Sequence, residues 1–304
     1  MTTPSLAGVY SAATTPVTAS GAPDTGRFAE HCKALLAEGC HGIALLGTTG
    51  EANSFGLNER QELLDSVVAA GIDPARLMPG TGTANLPDTV ALTRHAVAAG
   101  VAAVVMLPPF YYKGVSDEGV LRAYCETIEA VGDARLKVVL YHIPQMSGVT
   151  ISPAIIEALL KRYPDTVVGI KDSAGDIDRM REIIAAFPGF QLFAGADPLL
   201  LPVLQAGGAG CITATSNLVA AALRTVFDNH ADPAASAAVD AAQAHIVAMR
   251  TLTNAYVQIP TVKAMVARRR GAPEWTNVRA PLLPLTEAER ADVETQMAAL
   301  EQAR

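Results

Sequence analysis

Short apolar runs rich in β-branched residues recur along most of the chain, at 9–13, 42–46, 76–79, 102–107, 137–143, 166–170, 191–194 and 210–213. Each is continuously apolar rather than alternating, as parallel strands covered on both faces are. Segments with helical spacing lie between them, at 24–39, 58–71, 88–100, 116–131, 152–162 and 176–187. Their start and stop signals agree with that reading: Asn58 as a cap with Gln61 three residues on, Pro153 in a first turn, and glycine at several ends. Eight strands alternating with helices over roughly 225 residues predict a (β/α)8 barrel, with a doubly wound sheet as the alternative.

Beyond the eighth unit the strand pattern stops. Helical stretches at 233–255, 261–270 and 286–302 are separated by Ile259-Pro260 and by a loop over 271–284. The chain is therefore expected to be a barrel over 1–230 with a helical appendage over 231–304 in the same structural unit. No Ser/Gly or Pro-rich tract is long enough to be a flexible spacer.

Composition excludes several classes of function. There are 23 Lys and Arg against 30 Asp and Glu, a net charge of −7, and no basic stripe interleaved with aromatics, so nucleic acid is not an expected partner. The apolar run 96–107 is interrupted by Gly100 and stops at Pro108-Pro109, short of the ~18 residues a membrane helix needs. A basic segment followed by an apolar one is missing from the first residues, so the expected location is cytoplasmic. The four cysteines are scattered, without a C-x-x-C pair or histidine at ligand spacing, which predicts neither a disulfide framework nor structural zinc.

In a barrel, functional groups gather where the strands end and the βα loops converge. Gly47-Thr48-Thr49-Gly50-Glu51 follows the second strand, a pair of hydroxyls whose backbone N–H groups can face an anion. Pro109-Phe110-Tyr111-Tyr112 follows the fourth, Tyr141 lies near the end of the fifth, and Lys171-Asp172-Ser173 closes the sixth. Lys171 is one of only six lysines, and it directly follows Val167-Val168-Gly169-Ile170. Period-two alternation turns Gly169 and Lys171 inward and Val168 and Ile170 towards the helices. A partly desolvated amine there can attack a carbonyl as a Schiff-base nucleophile; the alternative is a strand-end lysine paired with a carboxylate. Tyr141 can pass a proton if Thr48 or Thr49 orients its phenol, or it can be a rim tyrosine of the core. The threonine pair can equally cap the next helix.

Those segments, together with Leu140-Tyr141-His142-Ile143-Pro144, Gly169-Ile170-Lys171-Asp172-Ser173 and Gly207-Gly208-Ala209-Gly210, resemble in order and spacing the dihydrodipicolinate synthase / N-acetylneuraminate lyase superfamily. The likeness extends to Ile259-Pro260 and Arg279-Ala280-Pro281-Leu282 in the C-terminal part. It implies a (β/α)8 barrel, commonly a homotetramer or homodimer, and a metal-independent class I lyase acting on pyruvate or another 2-oxo acid. It implies no cofactor beyond the covalent lysine Schiff base. By the family pattern Lys171 forms that imine, Tyr141 relays protons, and Thr48 and Thr49, next to Gly47, hold the carboxylate. Tyr111 completes the relay from a neighbouring subunit, and the main-chain carbonyl of Ile212 lies near the site; apart from that pattern, Ser173 is a candidate substrate contact.

Two departures bear on the substrate. The dihydrodipicolinate synthases carry a carboxylate-binding arginine where this chain has Met146, in Pro144-Gln145-Met146-Ser147-Gly148, and a thioether cannot make the forked pair of a guanidinium. The sialic acid lyases carry an Asp-Glu pair where this chain has Asp197-Pro198. The resemblance therefore points to an aldolase for a 2-keto-3-deoxy sugar acid or 4-hydroxy-2-oxoglutarate, with dihydrodipicolinate synthase or a 2-oxo sugar acid dehydratase as alternatives. His142, Gln145, Ser147, Asp197 and Thr213 join Ser173 as candidate contacts to the second fragment. A nucleotide-binding enzyme is disfavoured, since Gly80-Thr81-Gly82 lacks a third glycine and 207–210 leads from helix into strand. A non-catalytic binding barrel is also disfavoured, because binding alone needs no nucleophile.

Overall fold

The computed structural model describes residues 6–302. Its sheet is wholly parallel: β1 (Gly8–Ser11), β2 (Gly42–Ile43), β3 (Val104–Met106), β4 (Val138–His142), β5 (Val167–Asp172), β6 (Gln191–Ala194) and β7 (Gly210–Thr213), in the order β2-β1-β7-β6-β5-β4-β3. The helices packed around it are α1 (Thr25–Ala37), α2 (Leu57–Ala69), α3 (Leu86–Ala98), α4 (Asp117–Val131), α5 (Pro144–Ser147), α6 (Pro153–Arg162), α7 (Ile177–Ala186), α8 (Leu200–Gln205) and α9 (Ser216–Asn229). The last part adds α10 (Ser236–Thr253), α11 (Gln258–Arg270) and α12 (Glu287–Gln302).

Seven regular strands stand where eight were expected, because the run at 76–79 makes only single bridges. Ile43 bridges Leu77 on one side and Gly80 bridges Val105 on the other, both parallel. Met78 N–H donates to Ile43 O at 2.8 Å and Val105 N–H donates to Pro79 O at 2.9 Å, so this segment closes the barrel between β2 and β3. Pro79 has no N–H to extend the ladder. Gly80 is a close approach: a Cβ there would sit 2.3 Å from Leu46 O.

Inward and outward side chains form separate buried clusters, as a filled barrel demands. Tyr10, Ala44, Met78, Val139, Phe193 and Ile212 meet in the interior. Ile43, Leu45, Val138, Leu140, Ile170 and Leu192 pack against the helices. One orientation departs from simple alternation. Val168 lies in the interior cluster while Ile170 faces the helices, because the pairing jumps from Val138↔Val167 to Val139↔Gly169. That bulge leaves Val168 unopposed and restores the phase after Gly169, so Lys171 still turns inward. Gly169 is required there, since a Cβ would lie 2.3 Å from Gln191 O.

Helix starts mostly follow the expected chemistry. Side chains of Asp24, Asn85, Ser116, Ser152 and Asp176 accept backbone N–H groups at the first turns of α1, α3, α4, α6 and α7. The second helix begins earlier than expected. Gly56, not Asn58, occupies the cap, and its N–H donates to the Glu59 carboxylate at 2.9 Å. Ile259-Pro260 falls inside the first turn of α11 rather than before it, where a missing N–H costs no helical bond.

Appendage and barrel are tied by long-range polar contacts. The Arg279 guanidinium reaches the Glu59 carboxylate, Ser54 O and Gly21 O. On the buried face of α1 the imidazole of His31 lies against Trp275, with centroids 4.7 Å apart. Asn217 Oδ1 accepts from Thr14 N–H and lies 2.9 Å from His31 Nε2, so that nitrogen carries the proton of a neutral ring. Burial pushes the His31 pKa down to about 4, and Arg270 and Arg269 add to the cost of a positive ring. An unfolded imidazole titrates near 6.5. Between those values the unfolded chain binds a proton that the folded one refuses, so stability present above about pH 6.5 is lost as pH falls towards 4. The loss is on the order of 3 kcal/mol, and His31→Gln is expected to flatten it. Denaturant unfolding at neutral and mildly acidic pH measures the slope; equal slopes in variant and wild type would assign the acid limb to other groups.

Candidate active site

Lys171 and Tyr141 end adjacent strands in direct register and are both almost fully buried. Lys171 Nζ lies over the Tyr141 ring, 4.2 Å from its centroid, in cation–π contact. The Tyr141 hydroxyl lies 3.2 Å from Thr48 Oγ1, so a hydroxyl pair connects the loop after β2 to the phenol beside the amine. Among the described residues no carboxylate forms an ion pair with Lys171, which sets aside the strand-end ion pair. The neighbouring acid, Asp172, is committed elsewhere: it is wholly buried and pairs with Arg179 at 3.0 Å on the helix side.

Two adjoining spaces share Lys171, Tyr141 and Thr48. The smaller, about 20 Å³, lies within the barrel and is bounded by Gly47, Met78 and Ile212 among others. The larger, about 390 Å³, opens outward and has Thr49, Gln145, Met146 and Ser173 in its wall. That volume falls within the ~300–1,000 Å³ of small-molecule sites. The structure thus brings together Lys171, Tyr141, Thr48, Thr49, Gly47, Ile212 and Ser173. Tyr111 stands apart, 72% exposed and stacked edge to face on Tyr112, outside either space.

Other candidate contacts divide sharply. Gln145 lines the larger cavity and donates from Nε2 to Ser173 O at 2.7 Å. His142 is turned to the helix side, where its Nδ1 accepts from Ile151 N–H at 3.2 Å, and burial lowers its pKa. Ser147 is spent on Ile143 O and Val149 O, while Asp197 and Thr213 are buried outside the cavity wall. Met146 is at the mouth and 63% exposed, so an apolar thioether occupies that part of the rim.

Sequence reasoning missed two basic residues. Lys263 on α11 is completely buried, ion-paired with Glu51 and donating to Asn277 O at 2.7 Å. Burial lowers its pKa, and Glu51 opposes that shift. Glu51 belongs to the threonine loop and has a left-handed backbone, φ 55°, as does Leu46, φ 58°. The second is Arg250 on α10, which lines the larger cavity with Asn254 and Gln258. The signal available was their spacing of four, but periodicity alone does not say which surface a helix faces.

All four cysteines are free and buried, and burial raises the thiol pKa of Cys40 to about 12. Among the described residues no three His, Cys, Asp or Glu side chains group as a metal site, and no helix is long and apolar enough to cross a membrane.

Comparison with known proteins adds sequence and shape. The model of the dihydrodipicolinate synthetase family matches residues 5–300. An uncharacterized DapA-like lyase of Chloroflexus aurantiacus is 39% identical over 288 residues, 93% of each chain. The crystal structure of dihydrodipicolinate synthase from Agrobacterium tumefaciens superposes with a TM-score of 0.89 at 28% identity, covering 96% of this chain and 99% of that one. A prophage protein of the same family from E. coli K12, solved in complex with pyruvate, gives a TM-score of 0.89 at 25% identity over 97% and 99%.

Proposed function

This chain is a lyase of the dihydrodipicolinate synthetase family, and from that footing we propose that it makes or breaks a carbon–carbon bond next to pyruvate through a Schiff base on Lys171. The observation that carries the reading is the contact series from the Lys171 amine to the Tyr141 ring and from the Tyr141 hydroxyl to Thr48. An amine, a proton carrier and a carboxylate cradle are the three parts such chemistry needs.

The neutral Lys171 amine adds to the ketone carbon of a 2-oxo acid; as the resulting carbinolamine loses water, the Tyr141 hydroxyl supplies a proton, leaving a protonated imine and the Tyr141 phenolate. In the cleavage direction the hydroxyl on the second fragment gives its proton to the Tyr141 phenolate. The electron pair of the breaking carbon–carbon bond flows into the imine, an aldehyde departs and an enamine remains. Protonation of that enamine and hydrolysis of the imine return pyruvate and the free amine, so the lysine acts as an internal electron sink. The hydroxyls and backbone N–H groups of Thr48 and Thr49 orient the carboxylate, and binding energy becomes alignment. No cofactor is called for. Exposed Tyr111 fits a role in a neighbouring subunit's relay, hence a homodimer or homotetramer; the compartment we expect for it is the cytoplasm.

Met146 at the rim argues against the aspartate semialdehyde chemistry of dihydrodipicolinate synthase. A dehydratase would use the same lysine and tyrosine but expel water. Incubation with a panel of 2-oxo acids separates the two: an aldolase releases pyruvate and an aldehyde, whereas a dehydratase yields a 2-oxo product of unchanged carbon count. A 2-oxo product of unchanged carbon count, or the absence of both kinds of product across the whole panel, would count against the proposal. Tyr141→Phe keeps the ring beneath Lys171 and removes the proton carrier; kcat is expected to fall ~10²–10⁴-fold while the pyruvate imine still forms. Steady-state kinetics with borohydride trapping check both parts.

A further inference from the structure

Lys171 and Arg250 are the two basic side chains among the described residues lining the larger cavity, and no acidic side chain lines it. The Schiff-base reading uses Lys171 for the ketone and the threonine loop for its neighbouring carboxylate. Arg250 is then left over. We infer that Arg250 recognises a second anionic group, so that the cavity takes a 2-oxo acid with a distal carboxylate, or in reverse a carboxylate-bearing aldehyde. This rests on the Schiff-base reading and adds to it the charge of the second fragment.

The bland alternative is that Arg250 only neutralises buried Asp197. That contact is loose: Nη1 lies 4.0 Å from Oδ2, beyond hydrogen-bond reach, and both Asp197 oxygens accept no hydrogen bond. Asp197 holds the guanidinium by charge without taking up its N–H groups. The Gln258 side-chain oxygen accepts from both Nη atoms, which uses one N–H of each and leaves the other N–H groups of the guanidinium, with Asn254 beside Gln258 in the cavity wall. A guanidinium in the wall of such a cavity can make a charge-assisted pair with a carboxylate, stronger than a bond to a hydroxyl. The site is also supplied from a different element than the arginine missing at Met146: the end of α10 and the start of α11 bring Arg250 and Gln258 over the barrel mouth. The helical appendage thus sets the second-fragment specificity of a barrel-borne reaction.

The test uses matched aldehydes with pyruvate: glyoxylate against glycolaldehyde, and succinic semialdehyde against butanal. For the wild type, kcat/KM is expected to favour the carboxylate member of at least one pair. In Arg250→Gln that preference is expected to fall about 10–100-fold, the worth of one charged hydrogen-bonded contact. Arg250→Lys, which keeps charge and stem but loses the fork, is expected to fall between them and carries the comparison if the glutamine variant fails to fold. An unchanged ratio in both variants, or a wild type that prefers the neutral aldehydes, overturns the inference. Borohydride trapping of pyruvate alone is run alongside. An adduct in wild type with an unchanged ratio sinks only the Arg250 assignment, whereas its absence in wild type sinks the Schiff-base reading and this inference with it.

Discussion

Lys171→Ala is expected to reduce turnover by at least ~10⁴-fold while leaving the chain folded, because the variant loses the only group proposed to bond covalently to substrate. The alanine opens a small space beside Tyr141 at the barrel mouth, but Ile170 and Asp172 keep their contacts on the helix side. Unchanged circular dichroism with vanished turnover is the predicted pair of results. Lys171→Arg is expected to be equally inactive, since a guanidinium stays protonated and cannot add to a ketone. Residual activity within tenfold of wild type would show that Lys171 acts through charge alone.

The largest effect on stability is expected at the other buried lysine. Lys263→Met leaves the Glu51 carboxylate buried without its ion-pair partner, in a loop already holding two non-glycine residues in left-handed backbone. Breaking a buried pair from one side costs about 3–5 kcal/mol. In a chain of this length that lowers Tm by on the order of 10 °C. Glu51 Oε2 also accepts from Arg279 N–H at 3.1 Å, so the unpaired carboxylate keeps one anchor. Because Glu51 closes the segment that begins at Gly47, KM for pyruvate is expected to rise in the variant. Removing both charges in Glu51→Leu/Lys263→Met is expected to cost less than the sum of the single changes, which thermal and denaturant unfolding of all four proteins measures as a coupling energy. Strict additivity would mean that the pair does not tie the threonine loop to α11.

Much of this architecture was legible because strands buried on both faces leave continuous apolar runs, and because the residues that end them are chemically unlike those runs. Lys171 stood out for that reason: a basic side chain directly after Val167-Val168-Gly169-Ile170 at a barrel rim is either a nucleophile or half of an ion pair. What could not be read was register. The segment 76–79 looks like a strand but makes single bridges, and a bulge at Gly169 reverses Val168, since pairing depends on a neighbouring strand absent from the local pattern. Long-range charge was equally hidden. Nothing near Glu51 announces Lys263, more than 200 residues away, and nothing near Arg250 announces the cavity it faces.

His142 illustrates the opposite failure. A histidine beside Tyr141 invites a catalytic role, yet one residue along a strand is the other face of the sheet. Its ring accepts from Ile151 N–H among the helices, while Tyr141 lines the cavity. Gln145 and Ser173, expected near the mouth because each follows a strand end where the chain turns over it, do line the larger cavity.

The central claim is a covalent bond between Lys171 and a ketone, and trapping that bond tests it most directly. The protein is treated with pyruvate and borohydride, digested, and the peptides mapped by mass. The account predicts one reduced three-carbon unit per chain, carried on the peptide containing Lys171 and absent without pyruvate. An unmodified Lys171 in wild-type protein, or an adduct that survives Lys171→Ala at another lysine, would contradict it.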